Sequence, residues 1–265
     1  MVDVVGTEGA VAVLPEPRGR RLLDLVAAVA GLTVAAPILA PVCALVWVQD
    51  GKSPFYIASR VGRGGEHFRM VKLRSMLVGA DRTGVDSTAA DDDRVTPVGH
   101  LIRRYKLDEF TQLWNVALGD MSLVGPRPNV ERETSLYTTE EQRLLSVRPG
   151  ITDFSSIVFS DLAQILAGHD DPNIGYNQLV RPWKNRLGLF YIDHRSMSVD
   201  LRLILLTLVS IVSRTRALRG VEALLKRLGA DAQMVEVAAR RVPLVPTPPP
   251  GADEIVTSRV AMAAA

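Results

Sequence analysis

From Leu25 to Val48 the chain carries no charged side chain. About 20 apolar residues suffice to cross a bilayer, so this run restricts the fold to one that gives it an apolar surround. It is too long for the apolar region of a secretory signal, and no processed secretory domain follows from it. Pro37 and Pro41 interrupt it, where each removes a backbone donor and favours a kink or break. Basic residues flank both ends, Arg18, Arg20 and Arg21 before it and Lys52, Arg60 and Arg63 after it, so the positive-inside rule sets no orientation for a span. Two forms stay open on these features. One is a kinked transmembrane helix; the other is a helix that dips in, bends near Ala36-Pro37 and returns, with both basic flanks on one side.

Composition narrows the remaining choices. A net charge of +2 over 265 residues gives no general field for nucleic acid. The single cysteine, Cys43, lies in the apolar run, which excludes an internal disulfide framework or a cysteine metal site and agrees with a reducing, cytoplasmic setting. Mean hydropathy is +0.14, and a second apolar run, Leu203 to Val212, contributes to it. That run is too short to span. Buried core competes there with an interfacial helix held on anionic lipid by Arg202, Arg214, Arg216 and Arg219.

Residues before Arg18 lack periodicity and read as a flexible leader, 1–17. After the membrane segment, 18–50, Pro54 to Met76 reads as a hairpin. Its β-prone runs, Phe55 to Val61 and Phe68 to Leu73, flank a turn at Gly62-Arg63-Gly64-Gly65. Strand alternation puts Lys72 and Arg74 on one face. The glycines fit neither dinucleotide nor P-loop spacing. Asp81 to Asp93 reads as a solvated loop despite its closing Asp91-Asp92-Asp93. Pro97 to Met121 is mainly helical, and Asp153 to Trp183 reads as helices with loops around Gly168 to Pro172. Ala217 to Val242 fits one or two basic amphipathic helices within an extension, 214–243. Leu244 to Ala265, with Pro246 and Pro248 to Pro250, reads as a disordered tail. His67, His100, His169 and His194 show no metal-ligand spacing and receive no role.

The chemistry concentrates between Leu107 and Pro128. Leu107, Phe110, Trp114 and Ala117 recur at helical spacing and predict one apolar face. Asp108, Gln112 and Asn115 then fall on the opposite face, with Glu109 at its edge. The two adjacent carboxylates follow Arg103, Arg104 and Lys106 and precede Arg127. Carboxylates crowded by arginines in this way suit the handling of a metal-bound phosphate. Ser122 lacks the spacing of a nucleophile elbow.

This stretch, with Arg60-Val61-Gly62, Lys72-Leu73-Arg74-Ser75-Met76, Asp93-Arg94-Val95-Thr96, Gly125-Pro126-Arg127-Pro128 and Arg148-Pro149-Gly150-Ile151-Thr152, resembles the bacterial sugar transferase family of monotopic polyprenyl-phosphate phosphoglycosyl transferases. The resemblance runs from about Arg21 to Ser213. It implies an α+β, mainly α protein with a re-entrant N-terminal helix broken at Pro37, a small hairpin, interfacial amphipathic helices and a catalytic domain over 51–213. The domain would lie on the cytoplasmic face of the bacterial inner membrane. The implied reaction moves a phosphosugar from a UDP-sugar to polyprenyl phosphate and releases UMP, as the first membrane step of exopolysaccharide, capsule, O-antigen or glycoprotein glycan assembly. Asp108 and Glu109 would form the catalytic dyad, with Asp108 the nucleophile and a ligand of Mg²⁺. Lys72, Arg74, Arg104, Arg127 and Arg148 are the candidates for phosphate and carboxylate contacts. Membrane lipid and a second copy of the chain are the other expected partners, and nucleic acid is not one.

The chain departs from the family pattern at Phe110-Thr111, where Leu-Pro is usual, at Asp153, where glycine is usual, and at Ala36, where serine often stands. None removes the dyad. Asp153 follows a binding motif and is expected to bear on sugar choice. Two rival classes remain: a membrane-anchored glycosyltransferase that releases UDP, and a non-catalytic envelope scaffold with an idle dyad.

Overall fold

A computed structural model describes residues 11–80, 92–167, 169 and 171–257. The apolar run lies in one helix, α1, Arg20–Asp50, continuous through Pro37 and Pro41. Its buried residues are Arg20, Asp24, Ala28, Ala35, Val42 and Val46, spaced by fours and sevens, so a single stripe faces the protein. Leu22, Val26, Val29, Val34, Ile38, Trp47 and Val48 are exposed. The helix is long and apolar enough to cross a membrane, and an apolar surface of this extent is unfavourable in water.

The hairpin forms as expected. Strands β1, Phe55–Val61, and β2, His67–Leu73, pair antiparallel from Phe55↔Leu73 to Val61↔His67. Helix α2, Pro97–Arg104, begins with Pro97 in its first turn, and the Thr96 side chain accepts from Gly99 N–H. Lys106, at φ 52°, then redirects the chain into the one-turn helix α3, Leu107–Phe110, which is followed by α4, Gln112–Leu118. A short strand β3, Ser122–Val124, runs parallel to β4, Gly150–Thr152. They cross so closely that a Cβ on Gly150 would sit 2.1 Å from Gly125 N, which explains glycine at this crossing. Between them lie α5, Glu131–Thr134, and α6, Thr139–Gln142, the latter closed by a capping box of Thr138 and Glu141.

The larger core lies toward the C-terminus. Helices α7 (Phe154–Val158), α8 (Leu162–Leu166), α9 (Pro172–Gly175), α10 (Arg181–His194), α11 (Met197–Val212), α12 (Arg214–Arg227) and α13 (Ala232–Ala239) complete the order. Phe154, Leu187, Tyr191, Leu203, Val221 and Leu225 are among the buried side chains of one cluster. Helices α12 and α13 add Ala217, Leu224, Met234 and Ala238 to it, so the extension shares the core of the preceding helices. The second apolar run divides: Leu203 is core, whereas Leu205, Leu208, Ile211 and Val212 are exposed. Two smaller clusters join α1 to the hairpin and α2–α4, one around Ala28, Met70 and Leu113, the other around Val46, Leu73 and Ile102.

The break expected at Pro37 is absent: α1 stays helical through both prolines, since a proline keeps a helical φ and removes only its own backbone donor. Three further expectations need correction. The reading of 1–17 as a flexible leader does not hold for residues 11–17: Leu14 N–H donates to Ser146 O at 3.0 Å, and Arg195 donates to Pro15 O at 2.7 Å. The tail is likewise bound over residues 244–257. Thr247 N–H donates to Gln178 O, Arg186 to Pro248 O and Thr138 Oγ1 to Pro250 O. Prolines lower the conformational entropy lost on docking such an extended segment. Residues 1–10, 258–265 and most of the acidic loop, 81–91, lie outside the described residues. The third correction concerns the helix that carries the dyad. Phe110 and Trp114 are exposed, while Gln112 and Asn115 are buried. Asn115 occupies the free edge of β2, accepting from Val71 N–H at 2.9 Å and donating to Arg69 O at 2.8 Å. The unsatisfied polar edge of the hairpin draws the polar side of α4 inward and turns the aromatic side out.

Candidate active site

Asp108 and Glu109 stand in the first turn of α3, opposite β2. Glu109 Oε1 receives both terminal nitrogens of Arg127, at 3.3 and 3.4 Å. Lys72, the penultimate residue of β2, lies in the field of Asp108, Glu109, Arg127 and Arg60. Burial, then the neighbouring Arg127, pushes its ammonium down from the ordinary 10.5 to about 8, against the pull of Asp108. Burial is also the main reason that the Asp108 carboxyl sits above its ordinary range, with Lys72 opposing and Glu109 assisting the rise. The result is a more basic carboxylate beside a cation that titrates near neutrality, a pattern typical of functional sites.

Thr111 joins the two sides. Its hydroxyl lies 2.9 Å from Asp108 O and 3.1 Å from Val71 O, so it can donate to either carbonyl and sits between α3 and the strand that carries Lys72. This is the position where the family usually has proline, which has no such donor. Arg127 is delivered by the β3–β4 crossing: Gly150 N–H donates to Pro126 O at 3.0 Å and Val61 N–H to Asn129 O at 3.0 Å. Those bonds fix the loop on either side of Arg127 against both β4 and the hairpin.

Of the expected site residues, the structure brings together Lys72, Asp108, Glu109 and Arg127. Arg74 is placed elsewhere. Strand β2 ends at Leu73, and the buried Arg74 guanidinium forks onto Asp50 at 2.5 and 2.7 Å and onto Ser53 O at 2.8 Å. It fastens the end of α1 to the hairpin instead of sharing a face with Lys72. Arg148 pairs with Glu16 of the docked N-terminal segment. Arg104 is exposed, with its guanidinium 5.7 Å from the Tyr105 ring; its neighbour Arg103 instead lies in the field of Asp108, and it donates to Ser75 Oγ at 3.0 Å. Asp153 is buried and caps α7, accepting from Ser156 N–H at 2.7 Å. That bond explains the departure from glycine structurally and gives no support to a role in sugar choice.

Arg60 and Arg103 are the additions that sequence reasoning left out of the site. Arg60 lies in the Arg60-Val61-Gly62 motif, and that motif was the signal available. Its guanidinium is lowered by burial and lies in the fields of Arg127, Arg132 and Glu133. Gln112, one turn beyond Asp108, is buried with an amide nitrogen that has no partner among the described residues.

A mainly helical protein with a long apolar N-terminal helix and a carboxylate pair ringed by cations fits a membrane enzyme that handles phosphates. Comparison with known proteins defines the family. The profile described as bacterial sugar transferase matches residues 16–214, and the chain belongs to that family. It is similar to a putative undecaprenyl-phosphate N-acetylgalactosaminyl 1-phosphate transferase of Bacillus subtilis, 38% identical over 133 residues that cover 50% of this chain and 70% of the relative. It is also similar to the UDP-glucose:undecaprenyl-phosphate glucose-1-phosphate transferase of Caulobacter vibrioides, 32% identical over 203 residues, 75% of this chain and 71% of the relative. The match to the UDP-galactose-lipid carrier transferase of Erwinia amylovora, 37% identical over 148 residues, covers 50% of this chain and only 31% of that protein.

Proposed function

We propose that this protein is a polyprenyl-phosphate phosphoglycosyl transferase that moves a phosphosugar from a UDP-sugar to polyprenyl phosphate. The observation that carries the reading is the half-buried, cation-ringed carboxylate of Asp108, with Lys72 in its field and the Arg127–Glu109 pair beside it. An oxygen of Asp108 attacks the sugar-bearing phosphorus, the bond from that phosphorus to the bridging oxygen breaks, and UMP leaves with that oxygen. A phosphate oxygen of polyprenyl phosphate then attacks the same phosphorus, forms the diphosphate and returns the carboxylate. Both steps bring anions together, so the protein's contribution is position and charge neutralisation. Lys72, Arg127 and Arg60 supply cations, and Glu109 holds Arg127 in place.

The hard-oxygen pair Asp108 and Glu109 suits Mg²⁺, which takes one or two carboxylates and completes its shell with water and substrate phosphates. When bound there, Mg²⁺ would neutralise phosphate charge. UMP as the nucleotide product, measured with purified protein, polyprenyl phosphate and a panel of UDP-sugars, supports this reading. UDP would favour a simple glycosyltransferase, and binding without turnover a scaffold.

The membrane placement we propose is monotopic, with the domain on the cytoplasmic face of the inner membrane, where UDP-sugars are made. Both ends of α1 are fastened to the same domain. Arg20 pairs with Asp200 at 3.3 Å and donates to Tyr191 OH at 2.6 Å; Asp50 is held by Arg74. A spanning helix would carry one of these ends across ~30 Å of hydrocarbon. Cysteines placed before Arg18 and after Lys52 should both label from the cytoplasm, and labelling from opposite sides would overturn the placement.

A further inference from the structure

Helices α11 and α12 are joined by Ser213 alone and pack tightly as a pair. A Cβ on Gly220 would lie 2.2 Å from Leu206 Cδ2, so glycine permits this approach. Beside the contact opens a groove of about 250 Å³ between Leu205 and Leu206 of α11 and Ala223 and Leu224 of α12. Arg202 and Arg227 also line it, at the end away from the Ser213 turn. The groove therefore has an apolar length and a cationic end.

The charges around it are not random. Arg214 and Arg240 are paired with Asp161, and Lys226 and Arg241 with Glu222. Arg202 and Arg227 are exposed and have no ion-pair partner among the described residues, and Arg216 and Arg219 share that condition on the outer side of α12. Beside them, Leu201, Leu205, Leu208 and Ile211 are 50%, 60%, 57% and 70% exposed along α11. An apolar stripe next to unpaired arginines matches an amphiphile with an anionic head and a hydrocarbon tail.

We infer that this groove holds one anionic phospholipid, its phosphate between Arg202 and Arg227 and part of an acyl chain along Leu205, Leu206, Ala223 and Leu224. The size is sufficient for a chain segment, given that an apolar cavity of about 150 Å³ takes a benzene. Helix α12 lies almost wholly beyond the residues matched by the family profile, which end at 214. The site is thus assigned to the extension, separate from the acceptor position beside Asp108. The inference rests on the membrane placement proposed above.

The test uses the full chain with vesicles of phosphatidylcholine alone, or of phosphatidylcholine with phosphatidylglycerol that carries a photoactivatable acyl chain. The wild type should prefer the mixed vesicles, and the label should fall on peptides from α11 and α12. Arg202→Gln with Arg227→Gln should lose roughly 30-fold of that preference, about 5-fold per arginine, while keeping its binding to phosphatidylcholine and its turnover in detergent. Ala223→Leu leaves the charge unchanged but fills the groove, so it should reduce labelling of these peptides and spare the charge preference. Label elsewhere, or a double variant with wild-type preference, overturns the inference and leaves the membrane placement standing. Displacement of the label by equimolar polyprenyl phosphate, but not by unlabelled phosphatidylglycerol, makes the occupant the acceptor and also overturns it. No binding to either vesicle would sink the membrane placement itself.

Discussion

Lys72 gives the account a pH signature with opposite signs for activity and stability. With its ammonium pushed down to about 8, roughly nine in ten Lys72 side chains are charged at pH 7 and about one in ten at pH 9. If that charge neutralises the diphosphate, kcat/KM, which reports the free enzyme, should fall about tenfold per pH unit well above 8. At lower pH it should rise as Asp108, held above its ordinary range by burial, ionises. The pair gives a bell. Stability runs the other way. The folded state holds the Lys72 proton less tightly than the unfolded chain does, so between about 8 and 10.5 the unfolded state binds more protons and the contribution of Lys72 to stability rises with pH. The displacement corresponds to roughly 3 kcal/mol at full effect. The assay is initial UMP release from pH 6 to 10 at subsaturating UDP-sugar, with thermal unfolding followed in parallel. Lys72→Arg keeps its charge throughout and should remove the fall near pH 8, at some cost in rate from altered reach. A Lys72→Arg profile that still falls with its midpoint near 8 would refute the assignment.

Other expected outcomes follow from named contacts. Arg127→Lys retains charge but loses the fork onto Glu109; it should reduce kcat/KM by roughly 1.5–3 kcal/mol of transition-state stabilisation, with unchanged unfolding. Asn115→Ala leaves the Val71 N–H and the Arg69 carbonyl without their partner at a part-buried edge; it should cost roughly 1–3 kcal/mol in denaturant unfolding. Thr111→Val removes the hydroxyl between Asp108 O and Val71 O and should lower turnover more than UDP-sugar binding. Arg74→Met should lower thermal stability by freeing the end of α1, with the pH profile of kcat/KM left in place.

Much of the site was legible because its chemistry is local. The Asp108-Glu109 pair, the cation of Lys72 and the Arg127 loop lie in compact motifs, and the hairpin was signalled by β-prone runs around a glycine turn, which end at Val61 and Leu73 as read. What the sequence hid depends on partners distant in the chain. Nothing near Arg74 announces Asp50, and nothing near Arg148 announces Glu16. The helical face of α4 was assigned by hydrophobic periodicity, which takes no account of a β-edge that needs hydrogen bonds; Asn115 and Gln112 went inward for that reason. Leu244 to Thr257 has the composition of a solvated tail, yet its carbonyls are taken by Arg186 and Thr138, contacts that composition cannot reveal.

The central claim is that Asp108 carries the phosphosugar covalently, and a single-turnover measurement tests it most directly. Protein mixed with UDP-sugar and Mg²⁺, without polyprenyl phosphate, should release about one equivalent of UMP per active site. Mass spectrometry should find the phosphosugar on the peptide that contains Asp108, and Asp108→Asn should show neither burst nor adduct. A complete absence of UMP until polyprenyl phosphate is added, with intersecting initial-rate lines, would contradict the claim and remove the nucleophile role from Asp108.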